Sequence, residues 1–368
     1  MSLWEVYRPS LPGCFFAFAL LMCVTYNASA QEGEVTEGDN RLPVTEDRDS
    51  VRRYFIKGFP DKFFVYPVLK RRSLSFDLVR KDPDASLTYK PNNKFSFGMG
   101  MYIFELGIEL AFAIPLREQS IERFGESRSR DIGLNILAKR WGVDAFSQNY
   151  QGFYVTDANN RPASGEPYPQ RRDIRTKNFG FTTYYLFNHQ RFSLRSSFNY
   201  SERQLISKGS FILLGGLYTF RVSSDSSIVM ENQQPFFGPE VDFTRLRYTT
   251  FGIAPGYSIN LIYKHFFLHT TLAIGPAHHW INYDLEGKPR TNHDITINSF
   301  FSGRLAVGYN GYRFFGGISF VSQGSNLRFG DVRFSHDNSV FKVLAGYRFD
   351  EFGVLKKRVW DWLPVLGL

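Results

Sequence analysis

Residues Arg191 to Ser201 read RFSLRSSFNYS. One parity runs Arg191, Ser193, Arg195, Ser197, Asn199, Ser201, and the other runs Phe192, Leu194, Ser196, Phe198, Tyr200. Side chains alternate faces along a strand, so the stretch predicts a strand with one wet face and one largely apolar, aromatic face. Alone, that pattern suits a soluble sandwich as well as a membrane barrel. The rest of the chain has to decide.

The same alternation recurs. Phe95, Phe97, Met99, Met101 and Ile103 oppose Ser96, Gly98 and Gly100, while Phe301, Gly303, Leu305, Val307 and Tyr309 oppose Ser302, Arg304, Ala306 and Gly308. Strands are expected near 72–80, 94–104, 106–114, 130–140, 142–155, 176–188, 190–202, 208–222, 248–263, 264–282, 295–309, 311–323 and 337–349, with a weak one at 84–90. Tight turns at 104–105, 140–142, 188–190, 264 and 310–311 alternate with loops at 115–129, 156–175, 223–247, 283–294 and 324–336. Short turns on one side and long loops on the other mark an up-and-down outer-membrane barrel. The alternation slips once: either 223–247 hides a strand or 190–222 crosses only once. With both ends on one side the count is even, giving an all-β, single antiparallel barrel of 12 or 14 strands.

The ends agree with export. Arg8 precedes the apolar run Cys14–Val24, and Ala28 and Ala30 fit an A-x-A cleavage site between Ala30 and Gln31. The expected organisation is a signal peptide over 1–30, a flexible acidic periplasmic leader over 31–60, a barrel over 61–349 and a basic, Trp-bearing tail over 350–368. Eleven apolar residues are too few for a membrane-spanning helix of ~20. Both cysteines, Cys14 and Cys23, fall inside the signal. The mature chain therefore offers no disulfide, thiolate ligand or cysteine nucleophile. Phe341, Val343, Ala345, Tyr347 and Phe349 form an apolar closing strand ending on an aromatic, the signature expected to engage the barrel-insertion machinery.

Phe and Tyr number 38 and 20, and aromatics reach 17%. An outward apolar band with aromatic rims accounts for them. Mean hydropathy is nevertheless −0.26, as expected if half of each strand faces a wet lumen. The net charge of +9 is scattered without a basic patch, which excludes nucleic acid and suits outer-membrane lipids and lipopolysaccharide as partners.

Three stretches also carry a resemblance: FNHQRFSLRSSFNYSERQLISKGSF (Phe187–Phe211), SLTYKPNNKFSFGMG (Ser86–Gly100) and WGVDAFSQNYQGFYVTD (Trp141–Asp157). Over Tyr54–Phe349 the chain resembles the domain-of-unknown-function 4421 family of secreted proteins from Bacteroidetes-type Gram-negative bacteria. The resemblance implies an outer-membrane barrel and carries over no catalytic residue.

The candidate site is the lumen. Asp77, Glu109, Lys139, Asp144, Arg195, Arg304 and Arg348 are the inward-facing ionisable candidates, able to pair as polar filler or to line a path for small solutes. His278, His279, Ser322 and Ser325 invite a lipid-directed hydrolase, but nothing brings a histidine to a serine, and adjacent histidines face opposite ways. His265 and His269 lack a third metal ligand, and no Gly-rich phosphate loop precedes a helix, so no metal or cofactor is expected. The function expected is a non-enzymatic membrane protein, either small-solute channel or structural or surface component. The alternatives are an outer-membrane enzyme acting on lipid or lipopolysaccharide, and a soluble secreted glycan-binding β-sandwich.

Overall fold

A computed structural model describes residues 48–352 apart from 82–83, 104–105, 158–161, 239–240, 288–290 and 330. The expected signal, its cleavage at Ala30–Gln31, the leader up to 47 and the tail from 353 lie outside the described residues. Long alternating segments become long strands: β2 (Lys62–Arg80), β3 (Ala85–Lys90), β4 (Ser96–Ile103), β5 (Leu106–Ala113), β6 (Arg128–Leu137), β7 (Trp141–Asp157), β8 (Gln170–Leu186), β10 (Lys208–Ser223), β11 (Phe243–Tyr263), β12 (Phe266–Leu285), β13 (Thr291–Asn310), β14 (Phe314–Phe329) and β15 (Val332–Asp350). All ladders are antiparallel, and β15 pairs with β2 to close a ring. No helix among the described residues is long and apolar enough to cross a membrane.

The ring holds ten strands, in the order β2, β15, β14, β13, β12, β11, β10, β8, β7, β3, with β4, β5 and β6 attached to it. This differs from the expected 12 or 14. The reason lies at Pro91–Phe95, which interrupts a single crossing. β3 pairs with one half of β2 (Phe76↔Tyr89) and β4 with the other (Phe64↔Tyr102), and Pro91 at the break has no N–H to donate to a ladder. Beside β3, the ring closes directly onto β7 (Leu87↔Asp157). Beside β4, the hairpin partner β5 and the strand β6 intervene, yet among the described residues β5 pairs only with β4 and β6 only with β7. A seam separates β5 from β6. Residues 128–136 of β6 are exposed on both faces.

Polarity inverts along β2, β10, β11, β14 and β15. Toward the tight-turn end, where Lys62 and Asp350 pair, outward residues such as Phe181, Leu213, Phe251, Ile253, Leu305 and Val307 are exposed and apolar. Toward the loop end the outward positions of β2 become Arg71, Ser73, Ser75 and Asp77, while inward Leu74, Phe76 and Leu78 are buried. There the ring is filled by an apolar cluster including Tyr89, Phe153, Phe220, Tyr248 and Phe334. Residues Ile228, Val229, Phe237 and Val241, from the connection that carries the short helix Gln234–Phe237, join it. One closed ring forms, not the two packed sheets of a sandwich.

Two expectations change at the turn end. The leader expected to extend to residue 60 instead forms α1 (Arg48–Phe55) and β1 (Ile56–Gly58). β1 pairs with β9 (Glu202–Gln204). The stretch Arg191–Ser201 is not a strand: it contains the one-turn helix Arg195–Phe198 and lies inside the ring. Segment 190–222 therefore crosses once, through β10, which resolves the slipped alternation.

Candidate functional site

The residues of Arg191–Ser201 form a plug. Its apolar members Phe192, Leu194 and Tyr200 are buried among strand residues, as a lipid-facing stripe would be, but on the inside. Its backbone, withdrawn from any ladder, needs partners, because an unpaired buried carbonyl is costly. Wall side chains supply them. Asn260 Nδ2 donates to the Ser193 carbonyl at 2.8 Å, and Asn310 Nδ2 donates to those of Ser196 (2.8 Å) and Glu202 (2.9 Å). Fully buried Arg348 donates to the Tyr200 carbonyl at 2.6 Å and to Asn310 Oδ1 at 2.8 Å. Its guanidinium sits 4.0 Å from the centre of the Phe59 ring and 4.6 Å from that of Phe315. Tyr200 holds φ at 57°, a left-handed conformation that a bulky residue keeps only when its surroundings enforce it.

Glu202 ties α1 to the plug. It accepts from Arg52 Nη2 at 2.7 Å and from Ser193 Oγ at 2.5 Å, and lies 3.3 Å from Arg195 Nη1. Arg195 also donates to Tyr102 OH at 2.8 Å and Ser201 Oγ at 2.9 Å. Burial works to raise the Glu202 carboxyl, but Arg195, Arg52 and the Ser193 hydroxyl outweigh it and hold it below the ordinary carboxylate range.

Farther in, one charge pair crosses the lumen and a second cluster lines its wall. Arg304 Nη2 donates to Asp144 Oδ2 at 2.6 Å and lies 4.6 Å from the Tyr184 ring centre; Asn135 also donates to Asp144. Glu109 joins Lys70 (2.6 Å) and Lys342 (2.8 Å). Arg72 crosses behind the seam, so close to β6 that a Cβ at Gly133 would lie 2.1 Å from its Nη2. A cavity between Asn178, Tyr218, Phe300 and His336 measures about 20 Å³, and another beside Asn310 and Arg203 about 10 Å³. Each has room for about one water. Neither is a solute path.

A family model described as "Domain of unknown function (DUF4421)" matches residues 47–349. The chain belongs to this family. The DUF4421 match spans α1, the plug and the whole ring. Similar solved structures include the outer membrane protease OmpT from Escherichia coli, at TM-score 0.36 and 10% identity over 80% of this chain and 98% of that one. The translocator domain of the autotransporter NalP from Neisseria meningitidis aligns at TM-score 0.30 and 8% identity, over 91% and 96%. Ail, the attachment invasion locus protein of Yersinia pestis, aligns at 0.21 and 13%, over 57% and 97%. Comparison with curated proteins finds no match.

Within this DUF4421 chain, Glu109, Asp144, Arg304 and Arg348 lie on the inward parity of wall strands, and Arg195 enters the lumen on the plug. Asp77 sits on the outward parity, between buried Phe76 and Leu78; a polar-inside rule fails on that half because the polarity has inverted. Lys139 is exposed in the turn between β6 and β7. Tyr347 and Phe349 face outward on β15, which closes the ring on β2, and Phe349 stacks on Phe63 at 5.3 Å.

The enzyme candidates do not assemble. His278 points outward against Trp280 (ring centres 4.5 Å apart), while buried His279 pairs with Thr250 Oγ1 at 2.7 Å. Ser322 donates to Asp337 at 2.7 Å, and Ser325 lies 3.5 Å from Tyr248 OH. Both ring nitrogens of His269 are engaged, by Asn260 and Thr271, whereas His265 stacks on Tyr309. The sequence reading missed Asn260, Asn310, Lys70, Lys342 and Glu202. Lys342 was visible on the parity opposite Phe341 and Val343. Asn310, beside Gly311, read only as a turn residue.

Proposed function

We propose that this chain is an integral outer-membrane β-barrel, exported by a cleaved N-terminal signal, that rests closed and serves as a non-enzymatic structural or surface component. The exposed apolar band, its aromatic rim and the closed antiparallel ring support the membrane reading. One observation carries the rest: the lumen is filled from both ends, by the 191–201 plug and by the connection holding Ile228, Val229, Phe237 and Val241. A filled ring with paired internal charges is a scaffold, not a solute path. Proteoliposome swelling in small sugars tests this. Vesicles carrying the folded protein are expected to swell no faster than empty ones, and sugar-size-dependent swelling would overturn the reading.

A further inference from the structure

On the outer face, Lys177 of β8, Arg221 of β10 and Arg247 of β11 lie in one lateral row, since Arg221 is the register partner of both Lys177 and Arg247. They alternate with buried Asn178, Phe220, Val222, Leu246 and Tyr248, so all three point outward. Adjacent strands lie about 4.8 Å apart, so the row spans roughly 10 Å. Like charges directly opposite in a ladder repel, and no carboxylate forms an ion pair with any of the three among the described residues. By contrast, Arg175 and Arg245, one row nearer the loop end, reach Asp225 and Asp284.

The row has a definite place. The next outward residues toward the turn end are Phe179, Thr219 and Thr249, then Phe181, Leu217 and Phe251. The cations thus stand where the apolar band ends. On β14 and β15 the band edge carries Ser322, Ser339 and Asp337 instead, with the cations Arg328 and Arg333 farther toward the loop end, and β2 places the single cation Arg71 at that edge. A band edge serving only general membrane adhesion would not concentrate repelling cations on three neighbouring strands.

We propose that Lys177, Arg221 and Arg247 bind the phosphates of a glycolipid of the lipid A type, in the leaflet at the loop end, with its acyl chains on Phe181, Leu217 and Phe251. The proposal rests on the membrane reading above. A headgroup bearing two separated phosphates matches a row about 10 Å long, and a multi-chain lipid matches an apolar face three strands wide. Guanidiniums bind phosphate through charge-assisted, bidentate hydrogen bonds.

The test titrates the full mature protein in detergent with diphosphoryl lipid A and with phosphatidylglycerol, reading bound lipid by native mass spectrometry. Wild type is expected to prefer diphosphoryl lipid A. The variant Lys177→Gln/Arg221→Gln/Arg247→Gln is expected to lose roughly ten-fold or more in affinity, and Arg71→Gln, on β2, to lose nothing. Heat-modifiable electrophoretic mobility reports whether each variant is folded. A folded triple variant that keeps wild-type affinity overturns the proposal, as does equal binding of phosphatidylglycerol by wild type. Failure of the protein to enter detergent or vesicles at all would instead strike the membrane reading.

Discussion

Arg348 Nη2 donates to the Tyr200 carbonyl at 2.6 Å, joining the last strand of the ring to a plug residue far earlier in the chain. The same guanidinium reaches Asn310 Oδ1 and the Gly311 carbonyl, each at 2.8 Å. Losing it strands several buried acceptors and releases the left-handed Tyr200. Arg348→Ala is expected to cost about 2–5 kcal/mol in urea unfolding from micelles, with Arg348→Lys in between. Proteolysis should then cut within 188–207 in the Ala variant. Wild-type protection in that variant would remove Arg348 as the lock.

Glu202 gives the plug a pH dependence of known sign. Its folded pKa is depressed despite burial, because Arg195, Arg52 and Ser193 favour the carboxylate. Such a group contributes stability above its unfolded pKa of about 4.3, lost as pH falls through the lower folded value. Hydrogen exchange of α1 and β1 is expected to be pH-independent, after correction for intrinsic rates, near neutrality and to accelerate in acid. Glu202→Gln should weaken protection already at pH 7 and flatten the acid response. An unchanged acid response in that variant would exclude Glu202 as its source.

Glu109 is the single carboxylate between Lys70 and Lys342 in their ion-pair cluster. Glu109→Gln leaves two cations facing each other inside the ring, where an uncompensated buried charge is expensive. A loss of about 2–4 kcal/mol is expected in micelle unfolding, partly recovered by adding Lys342→Met. No recovery in the double variant would mean that Glu109 acts by packing alone.

The seam predicts uneven backbone protection. β12 has ladders on both sides, whereas β5 and β6 have one each. Singly paired strands open at lower free energy than doubly paired ones. Amides of β5 and β6 are expected to exchange at least roughly ten-fold faster than those of β12. Equal protection would mean that β5 and β6 pair directly in the membrane.

Much of the fold could be read from the chain because period-two alternation and tight turns are local signals. The tight turns at Lys264 and Asn310–Gly311 fall where expected, and 190–222 is one of the two places that the slipped count left open. The plug could not be read that way. RFSLRSSFNYS presents an apolar stripe whether it faces lipid or the inside of a ring, and only the wall residues Asn260, Asn310 and Arg348 distinguish the two. Asp77 was assigned inward because a uniform polar-inside rule ignores the inversion near Arg71–Ser73. Glu109, Asp144 and Arg304 lie within the half where that rule holds.

Single-channel recording in planar bilayers tests the closed lumen most directly. Purified, folded protein is expected to insert without steady conductance, because the plug and the apolar cluster fill the inside of the ring. Arg348→Ala is expected to add brief, irregular openings. Stable ohmic steps from the wild-type protein would contradict the closed barrel.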